Sequence, residues 1–215
     1  MTVKLISYSK GEKDESVQDI IAYTARVSNP SNQDNTETSE RLLRYLIREK
    51  HWSPFEMVSA CLEVNTTRDI ARQLLRHRSF SFQEFSQRYA DPTQDLNFVM
   101  RHARLQDTKN RQNSLDVNDP DLQLEWYKQQ AEVTNAAKKS YEWAIENGIA
   151  KEQARAVLPE GIMESRLYVN GTIRSWIHYI ELRSGHGTQK EHIELARACS
   201  VALEPIFPMI KEFCH

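Results

Sequence analysis

Residues 76–88 carry the densest group of chemically active side chains in the sequence. The segment holds three arginines, one histidine, one glutamate and several serines, and it follows an amphipathic helical pattern. A guanidinium group is planar, stays charged at any working pH, and can grip a phosphate through two hydrogen bonds at once. The segment is therefore suited to a phosphorylated ligand. A solvated charged loop is the alternative, and it would be favoured for an arbitrary arginine-rich stretch.

Arginine is concentrated in two parts of the chain. Between Lys50 and Lys109, and again between Lys151 and Lys190, every basic residue other than histidine is an arginine. The stretch between these two windows prefers lysine. This split indicates two ligand-facing segments. The stretch between them is expected to be an outer helical arm whose charged side chains serve only solubility.

The usual loops that bind nucleotides through the backbone are missing. The chain has six glycines and contains neither G-x-G-x-x-G nor G-x-x-x-x-G-K-[ST], which excludes a Rossmann dinucleotide site and a P-loop. If a nucleotide binds, side chains must hold its phosphates. The three cysteines, Cys61, Cys199 and Cys214, show no C-x-x-C spacing, so we expect no disulfide framework and no metal site.

Bulk composition indicates a cytoplasmic protein. Lysine and arginine total 28 against 30 acidic residues, so the net charge is −2 and exerts no general attraction on nucleic acid or on a membrane surface. No apolar stretch reaches the roughly 18 residues of a membrane span, and the first residues do not resemble a signal peptide. We expect a soluble chain with neither membrane nor nucleic-acid partners.

Alternating hydrophobicity predicts three strands that could position these residues. The first covers residues 3–9, the second 57–64 and the third 162–169. One face of the second strand carries only apolar side chains, those of Val58, Ala60, Leu62 and Val64. This strand is therefore expected to be half-buried.

Helical spacing of apolar residues predicts most of the remaining elements. The predicted helices cover residues 16–27, 36–49, 122–147, 172–182 and about 188 to at least 203. A further helix begins at the sequence Thr66-Thr67-Arg68-Asp69, which matches a capping box, and it leads into the arginine segment. Long helices with a few separated strands indicate an α+β fold. We expect a single domain over residues 1–215, with a small, mostly antiparallel sheet flanked by long helices.

Aromatic side chains are expected in the core of this domain. They are Trp52, Trp126, Trp143 and Trp176, together with Phe80, Phe82 and Phe85. The helix at 172–182 has an apolar stripe formed by Ile173, Trp176, Ile177 and Ile180. At about 100° per residue, Arg174 and His178 flank one side of this stripe and Arg183 flanks the other. One buried helix could therefore reach two ligands from its two sides.

Four motifs resemble those of the flavin-dependent thymidylate synthases. Arg76-His77-Arg78, followed after seven residues by Ser86, is similar to the signature of this family. The segments 51–56 (His-Trp-Ser-Pro-Phe-Glu), 154–159 (Ala-Arg-Ala-Val-Leu-Pro) and 172–183 are similar to further family motifs. The resemblance covers roughly residues 20–200.

The resemblance implies an activity and an assembly. These enzymes methylate dUMP to dTMP with methylenetetrahydrofolate as the one-carbon donor, FAD as the redox cofactor and NADPH as the reductant. They assemble as homotetramers that hold each FAD between subunits. In this mechanism an arginine stabilises negative charge on the pyrimidine, so that C5 attacks without a covalent bond to the protein, and the resemblance gives that catalytic role to Arg183.

The resemblance also implies which residues bind the two ligands. Those implied for dUMP are Gln73, Arg76, Glu84, Ser86, Gln87, Arg88, Arg155 and Arg183. Those implied for FAD are Ser53, Arg76, His77, Arg78, Glu84, Thr172, Arg174 and His178. Whether Asn170 or Thr172 meets the flavin stays open, and His186 is one residue away from the family position and is left out of the site.

Some assignments keep a purely structural alternative. Ser53 could start a helix at Pro54, Arg155 could cap a helix end, and His178 could be a satisfied core histidine. Two other functions also remain. Residues 76–89 interleave arginine with aromatic residues, as single-stranded nucleic-acid binding modules do. The chain could also be an inactive homologue that binds a nucleotide without turnover.

Overall fold

A four-stranded antiparallel sheet forms the centre of the computed structural model, which describes residues 1–215. The six strands are β1 (Thr2–Tyr8), β2 (Ser59–Thr67), β3 (Ser81–Glu84), β4 (Arg104–Gln106), β5 (Ser114–Asp116) and β6 (Glu164–Thr172). The central sheet has the strand order β1-β2-β6-β3, and β4 pairs with β5 in a separate hairpin. All these pairings are antiparallel.

Eight α-helices surround this sheet. They are α1 (Val17–Ala25), α2 (Ser39–Arg48), α3 (Arg68–Leu74), α4 (Pro92–Asp95), α5 (Pro120–Glu146), α6 (Lys151–Ala154), α7 (Ile173–Ser184) and α8 (Lys190–Leu203). Short 3-10 helices occupy Pro30–Asn32, Ser53–Glu56, Arg155–Val157 and Pro208–Phe213. The α+β fold with a small antiparallel sheet and long helices is confirmed. None of the helices combines the length and the hydrophobicity that crossing a membrane requires.

The register of the central strands brings distant segments together. β2 pairs with β6 along its whole length, so that Thr67 lies opposite Glu164. β3 runs antiparallel to β6 and starts with Ser81 opposite Asn170. α3 begins where β2 ends, whereas β3 begins beside the end of β6. The turn at residues 75–80, between α3 and β3, therefore lies near the start of α7.

The core forms on the face of β2 that its alternation predicts. Val58, Ala60, Leu62 and Val64 are all buried. Trp176 of α7 packs against this face and donates from Nε1 to the carbonyl oxygen of Ala60 at 3.0 Å. Phe80 anchors the turn before β3 on this core, with its ring centroid 4.5 Å from that of Trp176. The close approach needs a glycine at position 171, because an added Cβ there would lie 2.2 Å from the Phe80 ring.

Two tryptophans predicted for the core are exposed, so that prediction is wrong for them. Trp126 is 42% exposed and Trp143 is 59% exposed. Both lie on α5, of whose 27 residues only four are buried. This helix is the expected outer arm, and it ends before Gly148, whose φ of +76° is the left-handed conformation that terminates helices. Trp176 is completely buried and Trp52 is partly buried, as expected.

The capping box predicted at the start of α3 does not form. Thr67 occupies the N-cap position, but its side chain accepts no hydrogen bond from the helix. The Thr67 hydroxyl instead donates to Asp69 at 2.6 Å, and Arg101 binds both side chains. An ion pair with a residue from a distant loop thus replaces the local capping interaction.

Candidate active site

The ends of α3 and α7 are joined by one hydrogen bond between two predicted site residues. Arg183, in the last turn of α7, donates from Nε to Nε2 of His77 at 2.9 Å. The His77 ring stands edge-on to Tyr179, with the ring centroids 5.0 Å apart. Because only Nε takes part in this bond, the two terminal amino groups of Arg183 stay available to a ligand.

The surroundings of His77 keep its imidazole neutral. Burial lowers the pKa of His77, and the positive charges of Arg183 and Arg76 lower it further, to about 4. A neutral imidazole has one bare ring nitrogen, and Nε2 must be that nitrogen because it accepts from Arg183. His77 therefore orients the Arg183 guanidinium without adding a second positive charge.

Gln73 belongs to a group of polar side chains that joins α3 to α8. Its Nε2 donates to Oε1 of Gln189 at 2.8 Å, and its Oε1 lies 3.1 Å from Nδ1 of His192. His192 is completely buried, and its Nε2 lies 3.2 Å from the hydroxyl of Tyr179. Sequence reasoning missed His192 and Tyr179. The sequence feature that could have indicated His192 is its three-residue spacing from Gln189 at the start of a helix, which places both side chains on one face.

Most of the predicted ligand-binding arginines are free to bind an anion. Arg88 pairs with Glu152, and Arg174 pairs with Glu56. The other four of the six have no carboxylate partner, namely Arg76, Arg78, Arg155 and Arg183. Arg76 and Arg78 are also exposed at the end of α3.

A second group of predicted dUMP residues lies beside α6. Arg88 approaches Glu152 of α6 at 3.3 Å, and Ser86 Oγ accepts from the backbone N–H of Arg88 at 3.4 Å. Gln87 is buried, and its Nε2 has no hydrogen-bond partner. Arg155 lies one helical turn beyond Glu152. No hydrogen bond or ion pair joins this group to the ends of α3 and α7.

Glu84 ends β3 and already has partners within the protein. Its Oε1 accepts from the hydroxyl of Ser165 at 2.7 Å and lies 3.4 Å from Nη1 of Arg68. Ser165 is completely buried, which fixes this side of the carboxylate. The other oxygen, Oε2, remains for a ligand.

Three of the residues predicted only for the flavin lie around the first half of α7. Arg174 pairs with Glu56 of the 3-10 helix Ser53–Glu56, whose first residue, Ser53, is exposed. His178 is exposed as well, and its ring lies against Trp52 with the centroids 5.0 Å apart. The alternative of a core histidine at position 178 is therefore wrong. Arg174, Ser53 and His178 share one surface.

Thr172 has a structural role in addition to its predicted one. Its Oγ1 accepts from the backbone N–H of Ser175 at 3.2 Å, which makes Thr172 the N-cap of α7. Asn170, the other residue considered for the flavin, is exposed on β6. His186 is exposed in the loop between α7 and α8 and makes no hydrogen bond to a predicted site residue. The predicted flavin ligand Thr172 thus also starts the helix that carries Arg174 and Arg183.

Comparison with known proteins connects this arrangement to one family. The family model described as thymidylate synthase complementing protein matches residues 4–209. The chain belongs to this family. The resemblance that the four motifs carry is thereby confirmed.

Relatives within the family match almost the whole chain. The probable flavin-dependent thymidylate synthase of Paramecium bursaria Chlorella virus 1 is 50% identical over 212 residues, which cover 98% of this chain and 97% of that protein. The flavin-dependent thymidylate synthase of Synechocystis sp. is 48% identical over 216 residues, with coverage of 98% and 97%. Among solved structures, a UMP/dUMP methylase from Streptomyces cacaoi bound with 5-Br dUMP has a TM-score of 0.82 at 26% identity. That match covers 99% of this chain and 93% of the other.

The cysteines of this family member are poorly placed for nucleophilic attack. Cys199 is completely buried in α8 and Cys61 is partly buried in β2, and burial raises the pKa of both thiols. A thiol whose pKa is raised forms little of the reactive thiolate. None of the three cysteines makes a hydrogen bond to a predicted site residue. No group of three or more His, Cys, Asp or Glu side chains is placed to hold a metal ion.

The aromatic residues of segment 76–89 offer little surface for stacking on bases. Phe80 is buried, Phe82 and Phe85 are partly buried, and only Tyr89 is exposed, at 79%. Single-stranded nucleic-acid binders need several exposed rings on one surface. The structure therefore does not favour the single-strand-binding alternative.

Proposed function

We propose that this chain catalyses the reductive methylation of dUMP to dTMP, with methylenetetrahydrofolate as the one-carbon donor, FAD as the redox cofactor and NADPH as the reductant. The structural observation that carries the proposal is the Arg183 guanidinium, which His77 orients through Nε while both terminal amino groups stay free. Similarity to a methylase bound with 5-Br dUMP supports the nucleotide substrate. The flavin is supported by the two relatives, a probable and a named flavin-dependent thymidylate synthase.

The proposed role of Arg183 is to stabilise charge on the pyrimidine. Its two free amino groups can span two adjacent acceptors, N3 and O4 of the uracil edge. A fixed cation at developing negative charge is worth about 3 kcal/mol or more, which can replace activation by a thiol nucleophile. C5 then attacks the one-carbon unit. The remaining proposed dUMP ligands are Gln73, Arg76, Glu84, Ser86, Gln87, Arg88 and Arg155, with Ser86 and Arg88 at the phosphate.

The side chains that follow α3 and those around the first half of α7 fit a flavin dinucleotide. Arg76 and Arg78 are exposed cations without carboxylate partners, which suits phosphates that no glycine-rich loop can hold. The residues that would hold the group are Ser53, Arg76, His77, Arg78, Glu84, Thr172, Arg174 and His178. When bound, FAD supplies the redox chemistry of the reaction. His77, which stays neutral, also orients Arg183 by accepting from its Nε.

We further propose a homotetramer in which FAD binds between subunits. The two groups of dUMP residues, one at the ends of α3 and α7 and one beside α6, have no bond to each other within the chain. A second copy that supplies one of the groups would complete the site. Residues 1–215 would act as a single domain. Three free cysteines support a reducing compartment, the cytoplasm.

Flavin absorbance and turnover test the proposal together. We expect the purified protein to be yellow or to bind added FAD, and we expect dUMP to perturb the flavin spectrum. dTMP should form only when dUMP, methylenetetrahydrofolate and NADPH are all present, and reactions that omit one of them are the controls. A colourless protein that ignores FAD would contradict the proposal. A yellow protein without turnover would favour the inactive homologue, and steeply salt-dependent oligonucleotide binding would favour the single-strand binder.

A further inference from the structure

A chain of hydrogen bonds runs from the β4–β5 hairpin to Gln73, and it begins at a carboxylate. Arg104 of β4 contacts Glu191 through Nη1 at 2.8 Å and through Nη2 at 3.0 Å. Burial alone would raise the pKa of Glu191, but hydrogen bonds from Arg104, from its own backbone N–H and from Gln189 lower it to about 2. Glu191 is therefore ionised at any working pH, and a carboxylate can only accept hydrogen bonds.

The Glu191 carboxylate determines which group donates in each of the hydrogen bonds that follow. Gln189 must turn its NH₂ group to Glu191, at 2.9 Å, and its carbonyl oxygen to Gln73. Gln73 must then donate from Nε2 to Gln189 at 2.8 Å and turn its Oε1 to Nδ1 of His192, at 3.1 Å. His192 consequently carries its proton on Nδ1, and its bare Nε2 accepts from the Tyr179 hydroxyl at 3.2 Å.

The end of this series of hydrogen bonds that is formed by His192 and Tyr179 is buried away from water. His192 is 0% exposed and Tyr179 is 1% exposed. Burial lowers the pKa of His192, and the charge of Arg183 lowers it further, to about 3, while burial raises the pKa of Tyr179. Neither group changes its charge near neutral pH. Glu191 thus sets the orientation of the Gln189 and Gln73 amides from one side. His192, which is neutral and has a single tautomer, holds that orientation from the other side.

We propose that Glu191 and His192 are positioning residues that hold the Gln73 amide in one orientation toward the nucleotide. In this orientation one N–H of Gln73 Nε2 goes to Gln189 and the other has no protein partner. A rotated amide would offer an oxygen atom instead, which cannot bond to a phosphate or to a carbonyl oxygen. This inference rests on the proposed binding of dUMP and adds two residues outside the ligand set that the sequence predicts.

Two substitutions of His192 separate the roles of its two nitrogen atoms. An asparagine amide lies near the position of Nδ1, a glutamine amide reaches that of Nε2, and both are uncharged. We expect His192→Asn to keep the bond to Gln73 and to leave the KM for dUMP within about twofold of the parent, whereas His192→Gln raises it about tenfold, the effect of one lost hydrogen bond. In both variants kcat should change less than KM, because Arg183 is unaltered.

Glu191→Gln, an isosteric change, tests whether the Glu191 carboxylate fixes the donor and acceptor order of these hydrogen bonds. The glutamine amide can donate as well as accept, so the hydrogen bonds through Gln189 and Gln73 can reverse their donor and acceptor order. We therefore expect the KM for dUMP to rise by roughly fivefold while FAD still binds. Tyr141→Phe is the control, since it removes a buried hydroxyl that has no hydrogen-bond partner. The KM for dUMP in that control should equal the parent value.

Nitrogen-15 NMR of the histidine-labelled parent enzyme needs no variant to fold. The His192 ring should show a protonated Nδ1 and a bare Nε2. A protonated Nε2, or equal KM values for dUMP in the two His192 variants, would overturn the inference. A parent enzyme that forms no dTMP would instead contradict the proposed function, so the two failures can be told apart.

Discussion

At the scale of single residues, the bond between Arg183 and His77 leads to a specific prediction. Arg183→Lys keeps the positive charge but loses the planar fork, so the side chain cannot both contact His77 and span two acceptors. We expect FAD to bind and NADPH to reduce it, while dTMP formation falls by roughly 10²-fold. Flavin reduction and dTMP formation measured on the same preparation check this. Methylation at the parent rate would move the catalytic role to Arg155 or Arg88.

Two histidines with lowered pKa values make stability depend on pH, the completely buried His192 and the partly buried His77. The pKa of His77 is lowered to about 4 and that of His192 to about 3, both from an ordinary value of 6.5. Below that ordinary value the unfolded chain binds more protons than the folded one, so the free energy of unfolding falls as the pH drops from 6.5 toward 4. We expect His192 alone to account for a loss of about 2 kcal/mol between roughly pH 7.5 and pH 5.

Urea unfolding at these two pH values measures the loss, and His192→Asn should reduce it, since asparagine does not titrate. An identical pH dependence in the parent and in His192→Asn would show that other groups cause the effect. Glu191 acts in a lower window, because its pKa falls from 4.5 to about 2, so its stabilising contribution is lost only below pH 4.5.

At the scale of elements, the start of α7 depends on Thr172. The Thr172 hydroxyl caps the helix that carries both Arg174 and Arg183. We expect Thr172→Ala to lower the free energy of unfolding by about 1 kcal/mol, because the cap is lost, and Thr172→Ser to retain most of the stability. Thermal and urea unfolding of both variants, with FAD affinity measured in parallel, check this. Equal stability of the alanine and serine variants would show that the Thr172 hydroxyl does not stabilise the helix as a cap.

The cysteines of β2 and α8 provide a second prediction at this scale. Replacing Cys61, Cys199 and Cys214 together by alanine should leave dTMP formation largely intact, because the proposed mechanism activates the pyrimidine through Arg183 and not through a thiol. The variant should lose about 1 kcal/mol or more of stability, mainly at Cys199, which is completely buried whereas Cys61 is only partly so. Turnover and urea unfolding check these two expectations. A folded triple variant without any turnover would restore a role for a thiol nucleophile.

At the scale of the whole molecule, the two separate groups of dUMP residues predict complementation between subunits. If Arg183 and Arg155 of one site come from different copies, then Arg183→Ala and Arg155→Ala should each be inactive alone. Mixing the two variants under subunit exchange should restore up to about a quarter of the parent activity, since that share of sites receives two intact arginines. Light scattering should show a tetramer. A monomer, or mixtures that stay inactive, would place the whole site within one chain.

Local patterns in the sequence determined the long elements and the chemistry available to them. The alternation from Val58 to Val64 and the apolar stripe of α7 were readable because both periods are properties of a few consecutive residues. The motif from Arg76 to Ser86 pointed to the family for a similar reason. β3, β4 and β5 were not predicted, because strands of three or four residues carry almost no period.

Only the tertiary structure decided which of these side chains meet. His77 accepts from Arg183 across 106 residues of sequence, and Gln73 reaches His192 across 119. The exposure of Trp126 and Trp143 likewise depends on α5 lying outside the core, and the failed capping box depends on Arg101 arriving from a distant loop. Such contacts follow from the register of β2, β6 and β3 and from the packing of the whole core, which no short stretch of sequence contains.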